Sequence, residues 1–201
     1  MTITSLEALR ALYPLPGERA LRKELSALET HSRQYIERSP FVVIATVDPD
    51  GGMDASPRGG APGFVKVHEH THLLIPDAPG NHRLDSLQNI VQTGRIGLLF
   101  MIPGIDETLR INGRAQCRTD PALLERCADE RRTPTLVIRV EVQQVYLHCA
   151  KAFMRSRLWS DDARQTRGEM PPLGQIIREQ TGLQVPPETQ AQMMARYQAD
   201  L

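Results

Sequence analysis

The stretch between residues 41 and 149 contains a succession of short apolar segments typical of β-strands, and this pattern constrains the fold most. "FVVIATVD" at 41–48 is rich in β-branched residues and is closed by the turn sequence "DPDGG". "RIGLLFMI" at 95–102 is typical of a fully buried strand. Consecutive short strands with turn signals between them favour an antiparallel barrel over a doubly wound parallel sheet.

The remaining strands are less regular. We expect "DASPRG" and "GFVKVHE" to form one broken strand, "THLLIPD" a short strand, and residues 134–149 a long one. The Asn112-Gly113 pair in "TLRINGRAQC" is typical of a hairpin turn. Its flanking halves are very short, however, so a single long strand with a glycine bulge competes with the hairpin.

Helical patterns flank and interrupt the strands. The sequence predicts helices at 5–12 and 18–38, one from Asn81 to about Gln92, and short helices in "PALLERCADE" and "AKAFMRSRLWS". Residues 161–184 are polar with scattered Pro and Gly, which predicts a loop, and 186–201 can form a terminal helix. We therefore expect an N-terminal helical segment packing on the barrel (1–38), a barrel domain (39–160) and a C-terminal tail with a terminal helix (161–201).

Charge and composition exclude several classes of protein. The chain has 201 residues, with 24 Lys plus Arg against 24 Asp plus Glu, so its net charge is zero. A general nucleic-acid or membrane-surface binder usually shows a basic excess. No apolar run approaches the ~18 residues of a membrane span, and the N-terminus lacks the pattern of a signal peptide. The three cysteines have no CxxC spacing, which predicts a reduced, cytoplasmic protein.

Several common site motifs are missing or incomplete. No strand is followed by GxGxxG, and no GxxxxGK[ST] occurs, so the usual dinucleotide and phosphate loops are absent. "HEHTH" places His68, His70 and His72 at alternate positions, a spacing that on a strand would put three possible metal ligands on one face. The segment reads as a hairpin turn without a completing set of ligands, so we expect no metal. His148 and Cys149 are neighbours, which on a strand point to opposite faces and make no catalytic dyad.

The expected helix start in "PDAPGNHRLDSL" carries an unexpected charge. With Asn81 as the cap, His82 and Arg83 fall in the first turn, where the backbone dipole is positive. A cation is disfavoured there unless an anion shares the site, and free backbone N–H groups beside a guanidinium make a phosphate site. A solvated arginine that points away from the dipole is the alternative.

Each of two further basic segments is either part of an anion-binding site or an ordinary solvated basic segment. Arg58 in "ASPRGG" lies between a proline and two glycines, which permit close approach of a ligand; otherwise it is an ordinary loop arginine. In "KAFMRSRLW", Lys151 and Arg155 share a helix face, with Arg157 and Trp159 nearby. This arrangement suits a planar anion, or else forms a solvated basic face with the tryptophan in the core.

The order of these blocks identifies a resemblance. "FVVIATVDPDGGMDASPRGGAPGFVKV", "LLIPDAPGNHRLDSLQNI", "RIGLLFMIPGIDETLRINGRAQ" and "HCAKAFMRSRLW" resemble the pyridoxamine 5'-phosphate oxidase-like FMN-binding split-barrel superfamily, and within it an uncharacterised bacterial flavoprotein branch. The resemblance covers about residues 35–160. It implies a mainly β protein with flanking helices, a six-stranded antiparallel split β-barrel that forms a homodimer, with FMN in the groove between subunits.

The resemblance also implies where FMN would bind. The phosphate would lie against Asn81, His82 and Arg83, and the ring and ribityl chain along the strand that carries Ser56, Pro57 and Arg58. The C-terminal part of the barrel would add Lys151, Arg155, Ser156, Arg157 and Trp159.

The chain departs from true pyridoxamine phosphate oxidases at two places. Their R-x-x-L-L-K type strand is replaced by "PRGGAPGFVKV", and their C-terminal Arg-Leu-His type substrate segment is not evident. We therefore expect an FMN-dependent oxidoreductase that acts on an unknown small molecule rather than on vitamin B6. A non-catalytic flavin carrier or sensor, a related flavin or deazaflavin as cofactor, and a haem protein with His148 or another histidine as ligand remain open alternatives. A nucleic-acid-binding barrel is disfavoured by the charge balance.

Overall fold

The computed structural model describes residues 2–184 and 186–198. These residues form two compact units, with the boundary between Ser156 and Arg157. The three-part division into 1–38, 39–160 and 161–201 stays a prediction.

The first unit contains one sheet and six helices among the described residues. The strands are β1 (Phe41–Val47), β2 (Met53–Gly59), β3 (Lys66–His68), β4 (His72–Pro76), β5 (Arg95–Ile102), β6 (Ile105–Arg118) and β7 (Val137–His148). The helices are α1 (Leu6–Arg10), α2 (Glu18–Arg22), α3 (Thr30–Arg38), α4 (Asp85–Thr93), α5 (Pro121–Arg126) and α6 (Lys151–Ser156).

All seven strands belong to one antiparallel sheet in the order β2-β1-β5-β6-β7-β4-β3. The antiparallel β architecture is confirmed, but the expected six-stranded split barrel is wrong, because the described residues form seven strands in an open sheet. β2 and β3 are the free edges, and no described strand pairs them with each other. Only residues 60–65 join these edges, a link that spans at most about 25 Å from Gly59 to Lys66. Six strand spacings of about 4.8 Å would separate these edges by roughly 29 Å in a flat sheet, so the sheet must be curled, and both of its edges are open.

The core fills the inner face of this curled sheet. Along β1 the side chains alternate between buried and half-buried, and Val42 and Ile44 are fully buried. Phe100 on β5 and Ile111 on β6 are also fully buried in the same cluster. This period-two alternation is the reason why the strands were predictable from the sequence.

Helix α4 packs against β1, β2, β5 and β6 and is held by specific polar contacts as well as by its apolar side chains Leu87 and Ile90. The buried Asn89 amide donates to Thr46 Oγ1 at 3.0 Å. Thr93 Oγ1 donates to the carbonyl of Val47 at 2.9 Å. Because these partners lie at the end of β1, they fix the helix position along the sheet.

The N-terminal region differs from its prediction. The helix expected at 18–38 is interrupted between α2 and α3, where Leu25 exchanges two backbone hydrogen bonds with Val145 of β7. This bridge draws the chain onto the sheet and ends the helix. α3 then restarts where the Glu29 carboxylate accepts from the backbone N–H groups of His31 and Ser32, both at 2.6 Å.

The two segments expected to form one broken strand are in fact β2 and β3, at opposite edges of the sheet. Gly60 and Gly63 turn the chain between them, and Gly63 has a φ of +77°. Where the sequence left two possibilities for Asn112-Gly113, the structure shows a single long strand. β6 runs through this point with a register shift against β7.

The second unit begins at Arg157. It contains two 3₁₀ turns (Asp161–Ala163 and Arg167–Glu169), helix α7 (Leu173–Thr181) and helix α8 (Gln190–Gln198). The loop expected at 161–184 is therefore wrong for α7, whose apolar Leu173, Ile176 and Ile177 recur at helical spacing. The terminal helix is present as α8, and the last three positions of its predicted range lie outside the described residues.

None of the described helices is both long enough and apolar enough to cross a membrane. Cys117, Cys127 and Cys149 are all free thiols.

The register shift beside Gly113, where Gln143 of β7 has no partner on β6, gives a direct test of the fold. A Cβ at this position would lie 2.0 Å from the carbonyl oxygen of Glu141. Gly113→Ala should therefore lower the free energy of unfolding by about 1–3 kcal/mol, since the β6–β7 ladder must shift. Gly17→Ala is the matched control, because no atom lies within 4 Å of its added Cβ. Equal denaturant midpoints for the two variants would contradict the described register.

Candidate functional site

One face of the edge strand β2 carries polar side chains, whereas the same face of the adjacent strand β1 carries buried side chains. Asp54, Ser56 and Arg58 are half-buried, and they pair in register with the buried Thr46, Ile44 and Val42 of β1. Directly paired residues of an antiparallel ladder point to the same face. Polar side chains therefore line the inner face at the β2 edge of the sheet.

Arg58 is oriented by its own strand. Its Nη1 donates to Ser56 Oγ at 2.5 Å and to the carbonyl of Pro57 at 3.0 Å. Pro57 itself pairs with Val43 and faces the other side of the sheet. Of the three residues expected on this strand, the structure therefore groups Ser56 and Arg58 and separates the side chain of Pro57.

The start of α4 differs from its prediction. The Asn81 side chain does not cap the helix; its Oδ1 accepts from the backbone N–H of Arg83 at 3.1 Å and closes a local turn. Helix α4 begins later, after Leu84, which adopts a left-handed conformation with a φ of +61°. His82 is also left-handed, with a φ of +59°. His82 and Arg83 thus precede the helix and do not lie in its first turn.

Arg83 already has a charged neighbour. Its Nε donates to Asp85 Oδ2 at 2.8 Å, while its side chain remains 73% exposed. This hydrogen bond and the charge of Asp85 raise the pKa of Arg83 above its ordinary value, and the Asp54 carboxylate adds to the effect. The positive charge of Arg83 near the start of α4 is therefore balanced by the carboxylate of Asp85, and no ligand is needed to explain it.

A hydrogen bond joins the two candidate segments into one site. The hydroxyl of buried Ser86, in the first turn of α4, donates to Asp54 Oδ2 on β2 at 2.5 Å. Since Ser56 and Arg58 continue the same face from Asp54, the inner face of β2 adjoins the segment that carries Arg83.

This arrangement fits a phosphate-bearing cofactor. No side chain caps the N-terminus of α4, so the backbone N–H groups of its first turn have no side-chain acceptor. Such amides, with the helix dipole and the nearby Arg83 guanidinium, are the donors that a phosphate requires. Asp85 and Asp54 bring negative charge to the same place, so a phosphate would have to share Arg83 with Asp85.

The basic helix α6 lies elsewhere on the sheet. It packs against β6, which β1 and β5 separate from β2. Lys151, Arg155 and Ser156 are all exposed, and Ser156 Oγ donates to the carbonyl of Phe153 at 3.1 Å. Within one chain, no contact shown by the described residues brings these three side chains to Arg58 or Arg83.

Arg157 and Trp159 belong to the second unit. Arg157 has a left-handed backbone with a φ of +54° and forms an ion pair with Asp162. Its carbonyl accepts from Ser160 Oγ at 2.7 Å, and Trp159 is half-buried.

A cationic cluster that sequence reasoning missed lies on the outer face of β6 and β7. The Tyr146 ring lies 5.1 Å from Lys23 Nζ and 5.8 Å from the Arg110 guanidinium, with the His148 ring at 5.9 Å. Burial, together with the charges of Lys23 and Arg110, lowers the pKa of His148. Strand alternation could have grouped Tyr146 with His148, but no pattern in the sequence places Lys23 beside them.

Solved structures of the HupZ protein from Group A Streptococcus and of a variant of it share 17% and 16% identity with this chain. Both give a TM-score of 0.50 and cover 60% of this chain, and 94% and 98% of the HupZ chains. This likeness shows a common fold. An FMN-binding protein from Syntrophomonas wolfei is 9% identical, with a TM-score of 0.44, covering 72% of this chain and 97% of its own.

A comparison with curated protein sequences finds no significant match. Residues 28–149 match the family described as pyridoxamine 5'-phosphate oxidase. The match spans more than half of the chain and extends from just before α3 to just after β7. The chain therefore belongs to the pyridoxamine 5'-phosphate oxidase family.

Proposed function

We propose that this protein binds FMN at the opening of the curled sheet and acts as an oxidoreductase on a small molecule. The observation that carries the proposal is the hydrogen bond from Ser86 to Asp54, which places an uncapped helix start beside the polar face of β2. The phosphate would bind at Asn81, His82 and Arg83, and the ribityl chain and ring would follow the strand that carries Ser56, Pro57 and Arg58.

Bound FMN would supply hydride or electron transfer, while the chain supplies binding and orientation. Arg58, held by Ser56, is positioned to orient a polar edge of the cofactor. We do not propose pyridoxamine phosphate as the substrate, because "PRGGAPGFVKV" replaces the strand motif of the true oxidases. The free thiols support a cytoplasmic location as part of the proposal.

A second copy of the chain completes the proposed site. On the outer sheet face, Phe41, Val43, Leu99 and Met101 lie on adjacent strands and remain half-exposed. An apolar surface of this kind is typical of a two-fold interface. In such a dimer, Lys151, Arg155 and Ser156 of α6 would approach the FMN of the partner chain. This would explain why α6 lies far from β2 within its own sheet. Arg157 and Trp159 are assigned to the same site on the sequence resemblance alone.

The absorbance spectrum of the purified protein separates the main alternatives. A flavin gives a blue absorption band with a shoulder, and haem gives a sharp near-ultraviolet band. Turnover of reduced nicotinamide then separates an enzyme from a flavin carrier. A haem spectrum, or a colourless protein that takes up no added flavin, would contradict the proposal.

The phosphate assignment predicts selective loss of FMN in Arg83→Ala. Removing this charge-assisted contact should weaken FMN binding by roughly 1.5–3 kcal/mol, which is about 10- to 150-fold. Riboflavin lacks the phosphate, so its affinity should not change. Arg131→Ala, which removes an exposed arginine far along the chain, serves as the control in the same fluorescence titration. If unmodified protein binds riboflavin and FMN equally well, the phosphate site is wrong.

The partner-chain role of α6 makes its own prediction. Lys151→Ala and Arg155→Ala should lower flavin occupancy or shift the flavin spectrum, because each removes a cation near the bound anion. Circular dichroism should stay unchanged, since both side chains are exposed. Trp159→Ala should act in the same way if the indole packs near the ring. Full flavin binding by both cation variants would leave α6 as a solvated basic helix.

The interface prediction is that the protein sediments as a dimer. Leu99→Lys places a charge in the centre of the half-exposed apolar face and should yield monomers with reduced flavin occupancy. Met170→Lys replaces an exposed apolar residue of the second unit and should leave the sedimentation coefficient unchanged. A stable monomer with fully bound FMN would show that one chain makes the whole groove.

A further inference from the structure

The first unit contains a cleft of about 680 Å³ that the proposed FMN site does not use. It lies where β6 and β7 meet the C-terminal end of α4. Arg83 and the uncapped amides lie at the opposite end of this helix, roughly 13 Å away for nine residues. The cleft and the FMN site are therefore separate features joined by one helix.

Arginine side chains dominate the charge of this cleft. Arg114 and Arg118 lie on β6, Arg139 lies on β7, and Glu141 is the only acidic residue among the described lining residues. Arg139 pairs in register with Gln116, and Arg114 pairs with Glu141, so these four side chains share one face of the sheet.

The arginines differ in their partners. Arg118 is engaged, because its Nε and Nη2 donate to the two carboxylate oxygens of Asp120 at 2.7 and 2.8 Å. That contact, with a smaller effect from the charge of Arg139, lowers the pKa of Asp120. Among the described residues, Arg139 makes no side-chain hydrogen bond or ion pair, although it is half-buried. A partly desolvated guanidinium without a hydrogen-bonded counter-ion is costly, and a bound anion would offset that cost.

The other side chains that line the cleft indicate which functional groups a ligand would carry. The Glu141 carboxylate and the amides of Gln92 and Gln116 are partners for hydroxyl groups. None of the described lining residues is aromatic, so there is no stacking surface for a base or a flavin ring. The side chain of Val91, which is 74% exposed, offers only a small apolar contact at the rim.

We propose that this cleft binds a phosphorylated sugar or polyol. Arg139 and Arg114 would hold the phosphate, and Glu141 with the glutamine amides would accept and donate hydrogen bonds to the hydroxyl groups. The volume is sufficient for a small metabolite of this kind, since ligand pockets commonly range over about 300–1,000 Å³.

The test uses the full-length protein saturated with FMN, because FMN itself carries a ribityl phosphate. Ribose 5-phosphate is titrated by calorimetry, with ribose and inorganic phosphate as separate probes. We expect ribose 5-phosphate to bind and ribose not to bind. Arg139→Gln should weaken the binding by about tenfold or more, the scale of a charge-assisted contact. Arg131→Gln, a change of the same kind outside the cleft, should have no effect.

Glu141→Gln discriminates a sugar phosphate from a bare anion. The change replaces one of the two carboxylate acceptor oxygens with an NH2 donor and removes a negative charge, so it should weaken ribose 5-phosphate while strengthening inorganic phosphate. Unchanged ribose 5-phosphate binding in Arg139→Gln, or tighter binding in Glu141→Gln, would overturn the proposal. Failure of the FMN-saturated protein to bind ribose 5-phosphate would also overturn it, because the cleft must accept the sugar phosphate while the flavin site is filled. Thermal melting of each variant confirms that the fold is retained.

Discussion

The position of α4 is the constraint on which both proposed binding surfaces of this protein depend. Ser86 ties its first turn to β2, Asn89 ties its middle to β1, and Thr93 ties its last turn to the end of β1. These contacts join the helix to the sheet along its whole length, so it cannot slide without breaking buried hydrogen bonds. The start of α4 then determines where the uncapped amides and Arg83 lie. The end of α4 forms one wall of the cleft beside β6 and β7.

The two faces of the sheet have different chemistry for a simple geometric reason. Alternation along each strand buries one set of side chains in the core and leaves the other set outside. At the edge strand β2 the inner face extends beyond the core, and Ser56 and Arg58 occupy it. On the outer face, half-exposed apolar side chains lie beside the cationic cluster around Tyr146. A polar recess and an apolar contact surface thus arise from the same strands.

Sequence reasoning succeeded where one local pattern decided the structure. β1 and β5 follow from β-branched and apolar runs, whereas the sequence left both a hairpin and a single long strand open for β6. It failed at the start of α4, because an asparagine that caps a helix and one that closes its own turn use the same side-chain chemistry. It also failed where a distant contact intervened, as when the pairing of Leu25 with Val145 interrupts the expected helix.

The candidate site was predictable only as separate segments. The sequence grouped Asn81 with Arg83 and Ser56 with Arg58 because those residues are neighbours in the chain. That both groups share one place depends on Ser86 and Asp54, which are 32 residues apart and drew no attention as a motif. The location of α6 beside β6 depends on strand order, which spacing along the chain does not encode.

The open edges of the sheet have a consequence for how the protein behaves at high concentration. An unpaired edge exposes backbone donors and acceptors to which strands of other molecules can add. Here one edge contains Pro57, which has no backbone N–H to offer, and the other edge is only three residues long. A proline in an edge strand and a very short edge strand both discourage such strand addition. The molecule can therefore keep both edges of its sheet open without seeding the growth of intermolecular β-structure.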